Sequence, residues 1–332
     1  TYNPQMLLAG DVGGTKTLIG LFAPDQARPR LIGSRTYRTI DYPNLRALTQ
    51  QFLRDTATVS SDIEAASFGV AGPVDGMRAR LTNVPWIVDV EALGREMAIP
   101  RAHLLNDLEA LAWSVPFLDA GELELLHAGE ADPRGNMGLI AAGTGLGIAL
   151  IANIDGRLVP RASEGGHADF APRNDAESRL AIALAKEFGR VDVERVVSGP
   201  GLAHIHRLLY PHQCATLTPL PAADDLPAAI SRSALEAGCA DCRRTLELFV
   251  SAYGAAAGNL ALTVLATGGL FLGGGIAPQN LDALRWPTFM QSFLDKSPMT
   301  ALVSRMPVKV IMNPGAGLLG AATHAHAVMT ED

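Results

Sequence analysis

Three times in this chain an apolar run of strand length stops at a cluster of glycines. Met6–Ala9 runs into Gly10-Asp11-Val12-Gly13-Gly14-Thr15, Leu139–Ala142 into Gly143-Thr144-Gly145-Leu146-Gly147, and Leu270–Leu272 into Gly273-Gly274-Gly275. Behind the first two clusters a second apolar run follows at once, Leu18–Phe22 and Ile148–Ala152. Short buried strands joined by tight turns satisfy this pattern, and a continuous helix does not. The same feature decides two long uncharged stretches, Gly135–Ile154 and Phe249–Leu281. A membrane span needs about 20 residues of continuous apolar helix, and glycine clusters interrupt both stretches. No membrane partner is expected.

Between the clusters the pattern alternates. Leu31–Tyr37 reads as a strand, and Asn44–Thr56 carries Leu45, Leu48, Phe52 and Leu53 at helical spacing. Ala65–Ala71 is a buried strand, Val90–Met97 a short helix, and His103-Leu104-Leu105 a strand that stops at Asn106-Asp107 before a helix over Leu108–Trp113. Helices are predicted at Glu177–Phe188, Leu226–Ala237 and Cys242–Leu265, a late strand at Val308–Met312, and a closing Ala-rich helix at Gly317–Val328. Strands alternating with helices predict an α/β chain with a largely parallel, covered sheet. The strand, glycine turn, strand unit of residues 6–22 returns at 139–152, which favours two similar halves facing a cleft. No Ser/Gly-rich or charged linker separates them. We place the small domain at residues 1–110 plus 305–332 and the large one at 111–304.

The composition narrows the function. A chain of 332 residues, 48% apolar and 18% charged, can bury a sizeable core, which excludes a disordered or disulfide-stapled chain. Its net charge of −7 offers no bulk attraction for nucleic acid or an anionic membrane. Three cysteines (Cys214, Cys239, Cys242) are too few for a disulfide framework. The N-terminus lacks the pattern of a secretory signal, so a cytoplasmic location is expected. Glycine turns after strands let backbone N–H groups converge on an anion, and three in one acidic chain point to a nucleotide. Neither G-x-x-x-x-G-K-[ST] nor a G-x-G-x-x-G opening a helix is present, so the phosphate site is of another type.

Asp11-Val12-Gly13-Gly14-Thr15, Leu105-Asn106-Asp107, Gly143-Thr144-Gly145-Leu146-Gly147, Glu164-Gly165-Gly166-His167, Glu194-Arg195-Val196-Val197-Ser198-Gly199-Pro200-Gly201 and Gly273-Gly274-Gly275-Ile276 occur in this order. Together they resemble the bacterial glucokinases of the ATP-dependent, non-repressor type, in the hexokinase–actin-like superfamily, over about residues 6–326. The resemblance implies a two-domain actin-like/hexokinase-like (ribonuclease-H-like) α/β fold with an inter-domain active-site cleft. It implies ATP-dependent phosphorylation of glucose at the 6-hydroxyl, the first step of glycolysis, with Mg²⁺ and a homodimeric state. By the same resemblance Asp107 is the general base and Asn106, Asp107, Glu164, His167 and Glu194 bind the sugar. Gly13, Gly14 and Thr15 with Gly143, Thr144 and Gly145 form the two phosphate loops, Gly273, Gly274 and Gly275 the adenosine-side turn, and Asp11 lies at the Mg²⁺–phosphate end.

The residue types suit that chemistry. A primary alcohol is a poor nucleophile until a carboxylate takes its proton, and a polyhydroxylated ring needs many acceptors. Plainer readings stand beside these. Asp107 could merely cap the helix beginning at Leu108, Glu194 could pair with Arg195 in solvent, and Lys16, where several relatives carry Asn, could touch a phosphate or face water. Cys239 and Cys242 with His212 and Cys214 could bind zinc. Helical packing of the cysteines is the preferred reading, since zinc-binding relatives carry a cysteine cluster soon after the Glu-Gly-His segment and this chain does not. A sugar-responsive regulator would need a helix-turn-helix, which is not expected ahead of the strand at Met6. An actin-like ATPase without a sugar site would not need Asn106, Asp107, Glu164, His167 and Glu194, and a kinase for another hexose is the remaining alternative.

Overall fold

Strand β1 (Met6–Val12) is apolar at successive positions because both of its faces are buried: Leu8 and Val12 enter one core, Leu7 and Ala9 another. A computed structural model of the chain describes residues 5–81, 84–210, 217 and 221–330. His212, Cys214 and Pro219 lie outside the described residues. The chain divides into two units, Thr1–Asp119 with Asn313–Asp332, and Ala120–Met312.

In the first unit β1 turns back into β2 (Lys16–Ala23), and β2 into β3 (Arg30–Arg38), both pairings antiparallel. Helix α1 (Leu45–Asp55) starts where the Asn44 side chain accepts the Ala47 N–H at 2.9 Å, and it buries Leu45, Leu48, Phe52 and Leu53. It leads to β4 (Ile63–Val70), parallel to β1. Three short strands, β5 (Val74–Asp75), β6 (Arg78–Arg80) and β7 (Ile87–Asp89), make a separate antiparallel sheet. Helix α2 (Val90–Met97) then precedes β8 (Arg101–Asn106), which runs parallel to β4 and ends at α3 (Asp107–Ser114). The sheet order is β3-β2-β1-β4-β8.

The second unit opens with β9 (Leu123–His127), followed by the antiparallel run β10 (Met137–Ala142), β11 (Leu146–Ile154) and β12 (Arg157–Ser163). Helices α4 (Asp175–Phe188), α5 (Gly199–Leu209), α6 (Leu226–Leu235) and α7 (Ala240–Val264) come next. Strand β13 (Gly269–Gly273) is parallel to β10. Four short helices, α8 (Ile276–Gln279), α9 (Leu281–Leu284), α10 (Pro287–Leu294) and α11 (Thr300–Val303), lead to β14 (Val308–Ile311), parallel to β13. The order is β12-β11-β10-β13-β14-β9, so its first five strands repeat the connectivity and direction of β3-β2-β1-β4-β8.

The sheets differ from the sequence expectation in one respect: the two large ones are mixed, not largely parallel. A turn of three or four residues joins only antiparallel neighbours, whereas parallel pairing needs a long crossover. The segments around Gly13-Gly14-Thr15 and Gly143-Thr144-Gly145 are therefore hairpins, and the parallel pairs are those connected through helices. Among the described residues no helix is long and apolar enough to cross a membrane. The 25-residue α7 instead lies in the core of its unit, against α10 and α6. Cys242 is fully buried there, while Cys239 stands just ahead of the helix as its cap, its sulfur 3.5 Å from the Cys242 nitrogen.

The last helix, α12 (Ala316–Thr330), returns to the first unit and covers the second face of its sheet with Leu318, Leu319, Ala321, Ala322 and Ala325. His324 Nδ1 lies 2.9 Å from Ser67 Oγ on β4, and Thr323 Oγ1 donates to the Trp113 carbonyl of α3 at 3.0 Å. The helices α12 and α3 approach so closely that a β-carbon at Gly320 would stand 1.6 Å from the Ala110 carbonyl oxygen. Gly320→Ala is expected to lower the unfolding free energy by about 1–3 kcal/mol, the usual effect of overpacking, against alanine's better helix propensity. In Gly33→Ala an added β-carbon meets nothing within 4 Å, so its urea midpoint is expected to stay in place. Equal midpoints for the two variants would show that α3 yields without cost.

Candidate active site

In the first unit the glycine turn between β1 and β2 is held from below. The Gly13 N–H donates to the Lys16 carbonyl at 3.0 Å, closing the turn. Thr39 donates its N–H to Thr15 O at 3.0 Å and its hydroxyl to Gly13 O at 2.7 Å, and the buried Thr17 hydroxyl lies 2.9 Å from that of Thr39. One residue before the turn's Val12, Asp11 sits opposite Leu18 in the β1–β2 ladder, its carboxylate against Gly317 in the first turn of α12. Burial raises the Asp11 pKa, the nearby Asp107 charge adds to the rise, and Lys16 opposes it.

Strand β8 ends at Asn106, which caps α3: its Oδ1 accepts the Leu108 N–H at 2.9 Å and its Nδ2 donates to Gly72 O at 3.3 Å. Asn106 thus stands at the cap position, and Asp107 is the first helical residue. Asp107 Oδ1 also accepts from Leu108, at 2.8 Å. Burial raises the Asp107 pKa, while bonds from the Leu108 amide, its own amide and Asn106 work against the rise. A carboxylate has about four lone-pair sites, so capacity to take a proton remains. Asp11, near the end of β1, and Asp107, at the start of α3, are thus two desolvated acids within electrostatic reach of each other.

In the second unit the turn between β10 and β11 is pinned to the start of α5. The Gly143 N–H donates to Gly145 O, and the Gly199 N–H to Gly143 O, both at 2.8 Å. Glu194 Oε2 accepts the Leu146 N–H at 2.9 Å, which joins this turn to the acidic residue singled out from the sequence. Arg195 does not pair with it but lies over the Phe188 ring, 4.1 Å from its centre. The Gly273-Gly274-Gly275 turn comes to the same place. Gly274 has φ +77°, and a β-carbon on it would be 2.3 Å from the Ala142 carbonyl, so only glycine fits there.

Glu164 opens a short 3-10 turn over Gly165–His167, not a full helix, and its side chain is 92% exposed. The Glu194 N–H donates to Gly166 O at 3.0 Å, bringing Glu194 beside that turn. His167 Nε2 lies 3.9 Å from Glu164 Oε2, and Nδ1 lies 3.0 Å from Asp192 Oδ2. The hydrogen bond to Asp192 raises the His167 pKa, and burial works against it while the charges of Glu194, Asp192 and Glu164 add to it. At Asp192 burial pulls upward, but bonds from His167 and the Arg195 amide outweigh it and leave the carboxyl below its ordinary value.

The sequence-derived residues therefore gather into two sets, each within its own unit. One holds Asp11, the Gly13-Gly14-Thr15 turn, Asn106 and Asp107; the other holds Glu164, His167, Glu194 and the turns at 143–145 and 273–275. Thr17, Thr39 and Asp192 were not found from the sequence, since a lone Thr or Asp carries no spacing signal. Among the described residues no group of three or more His, Cys, Asp or Glu is placed to hold a metal ion by itself.

Known proteins match this chain over nearly its whole length. The Glucokinase family model matches residues 8–328. A glucokinase of Synechocystis sp. is 40% identical over 344 aligned positions, covering 96% of this chain and 97% of that protein. The crystal structure of a glucokinase from an Antarctic psychrotroph superposes with a TM-score of 0.85 at 31% identity, covering 97% of this chain and 99% of that one. A ROK family glucokinase from Streptomyces griseus, crystallised with glucose and AMPPNP, shares the fold at a TM-score of 0.64 and 22% identity, covering 97% and 99%. The repeated sheets are those of the actin-like two-domain α/β fold, and the chain belongs to the glucokinase family.

Proposed function

We propose that this chain transfers the γ-phosphoryl group of ATP to the 6-hydroxyl of glucose with Asp107 as the general base. The observation that supports the reading best is the placement of Asp107 at the end of a parallel strand, the usual position for ligand contacts in such sheets. Its burial keeps the proton affinity of the carboxylate above the ordinary level, which suits a group that must take a proton from an alcohol. Asn106, Glu164, His167 and Glu194 bind the sugar hydroxyls, supplying acceptors on three carboxyl or amide groups and a titratable imidazole. The turns Gly13-Gly14-Thr15 and Gly143-Thr144-Gly145 hold the phosphates through backbone amides, and Gly273-Gly274-Gly275 meets the adenosine side.

Asp11 fits a divalent cation, being a buried acid whose unfavourable interaction with the Asp107 charge a positive ion would relieve. Asp11 would hold Mg²⁺ together with the ATP phosphates, an ion that keeps few protein ligands of its own. Bound there, the ion neutralises charge on the phosphates. A cytoplasmic homodimer that takes no nucleic acid belongs to the same proposal, the acidic balance of the chain supporting the last point.

Asp107→Asn is expected to lower kcat by about 10²–10⁴-fold, the usual worth of a general base, with glucose affinity largely kept. A coupled assay of glucose 6-phosphate formation measures this, and wild-type turnover would remove Asp107 from the mechanism. Because the folded-state pKa is raised above its ordinary 3.8, kcat/KM is expected to fall with decreasing pH at a value above 3.8. The same shift fixes the stability effect. A raised carboxyl favours the fold in its protonated form, below the unfolded pKa, and loses that contribution as pH rises through the folded pKa. Asp107→Asn is therefore expected to melt higher than wild type at pH 7, with the gain vanishing below about pH 4; an equal or lower melting temperature at pH 7 contradicts it.

Glu164→Gln and His167→Ala are each expected to raise the glucose KM by about tenfold or more, since a site built for hydroxyls loses a partner. The ATP KM is expected to hold. Titration calorimetry showing lost nucleotide binding and intact glucose binding would reverse this assignment.

A further inference from the structure

We propose that Asp192 is a positioning residue for the sugar site, fixing the His167 imidazole so that Nδ1 carries a proton and Nε2 is the nitrogen left for the ligand. The inference rests on the assignment of His167 to glucose. The two side chains meet at 3.0 Å through Nδ1 and Oδ2. Asp192 is the more enclosed partner, 13% exposed against 50% for His167, and its other oxygen accepts the Arg195 N–H at 3.0 Å. Its carboxylate is thus gripped on one side and aimed at the ring on the other.

The backbone sets this pairing. Residues 166–170 and 191–194 are joined by Glu194 N–H to Gly166 O, Val193 N–H to Ala168 O and Phe170 N–H to Val191 O, at 3.0, 2.9 and 3.0 Å. Asp169 and Asp192 form an antiparallel bridge within that ladder. Arg190 donates to the His167 carbonyl and to Asp169, both at 2.7 Å, so it braces the His167 main chain. The charged groups around the ring are then Asp192 at Nδ1, Glu164 near Nε2, Glu194 alongside, and Arg190 and Arg195 engaged elsewhere.

A carboxylate only accepts, so Nδ1 must bear the proton in both states of the ring. As a cation, His167 presents an Nε2–H donor among Glu164 and Glu194, which only accept. When neutral, it presents Nε2 as a third acceptor. A sugar hydroxyl donates one bond and accepts others, so the cationic ring completes the set and the neutral ring duplicates what the carboxylates already offer. Raised by its acidic neighbours, His167 stays cationic to higher pH than an isolated imidazole.

The test is nitrogen NMR of the histidine rings in the full chain. His167, one of eight histidines, is assigned by its loss in His167→Ala. In wild type above its transition, the proton is expected on Nδ1. In Asp192→Asn the amide oxygen keeps the Arg195 bond and the NH₂ group faces Nδ1, so the proton is expected to move to Nε2 and the transition to fall. The glucose KM is then expected to rise about tenfold, with the ATP KM unchanged. A wild-type proton on Nε2, or an unmoved transition in Asp192→Asn, overturns the proposal without reference to activity. A raised glucose KM in His167→Ala but not in Asp192→Asn also overturns it and leaves the sugar assignment standing. An unchanged KM in both variants, with the tautomer reversed, overturns the sugar assignment of His167 and this role with it.

Discussion

The docking of the last helix onto the first sheet is the constraint on which the N-terminal unit depends. Leu7, Ala9, Phe22 and Ala65 form an apolar face that packs with Leu318, Leu319, Ala321, Ala322 and Ala325. Leaving that face in water would cost about 25 cal/mol for each Å² exposed. The alanines and Gly320 let α12 lie close to α3 as well as to the sheet. Since α3 begins at Asp107 and the first turn of α12 faces Asp11, the same packing sets the surroundings of both acids. The two ends of the chain therefore determine one electrostatic environment.

The two units treat charge in opposite ways. In the first, two carboxyl groups are withdrawn from water, so both hold protons more tightly than free aspartate, and the Asp107 charge adds to the rise at Asp11. In the second, an exposed imidazole is surrounded by acids, so the positive form is favoured and Asp192 stays ionised. In the reaction proposed above, a desolvated base and a cationic donor would be different answers to one requirement, the handling of hydroxyl protons. Neither needs a metal cluster built from side chains alone.

The glycine turns show why fold and site are inseparable here. Each ends an apolar strand, and each is fastened by a different device: threonine hydroxyls under Gly13, the α5 terminus under Gly143, and the β10 carbonyl at Ala142 beside Gly274. Exposed backbone amides can serve as an anion site only when the turn that carries them is held still. Glu194 joins the two roles, bonded through its side chain to the Leu146 amide and through its backbone to Gly166.

The glycine clusters and the apolar runs were enough to place most strands and helices and the repeat, because burial on a strand or helix writes a period of apolar residues that needs no knowledge of partners; the family came from the resemblance carried by the order of the motifs. Asp107 and Asn106 were legible as a strand end for the same reason. The sequence could not tell which strands pair antiparallel until turn length was read as a limit on crossover. Nor could it reveal β5 to β7, whose two- and three-residue strands are too short to show a period. Asp192 had no signal at all, since its role comes from facing His167 across 25 residues of chain. Periodicity is a local property and survives in the sequence. Hydrogen-bond partners, desolvation and the choice of a tautomer arise from contacts between distant residues, and only the tertiary structure decides them.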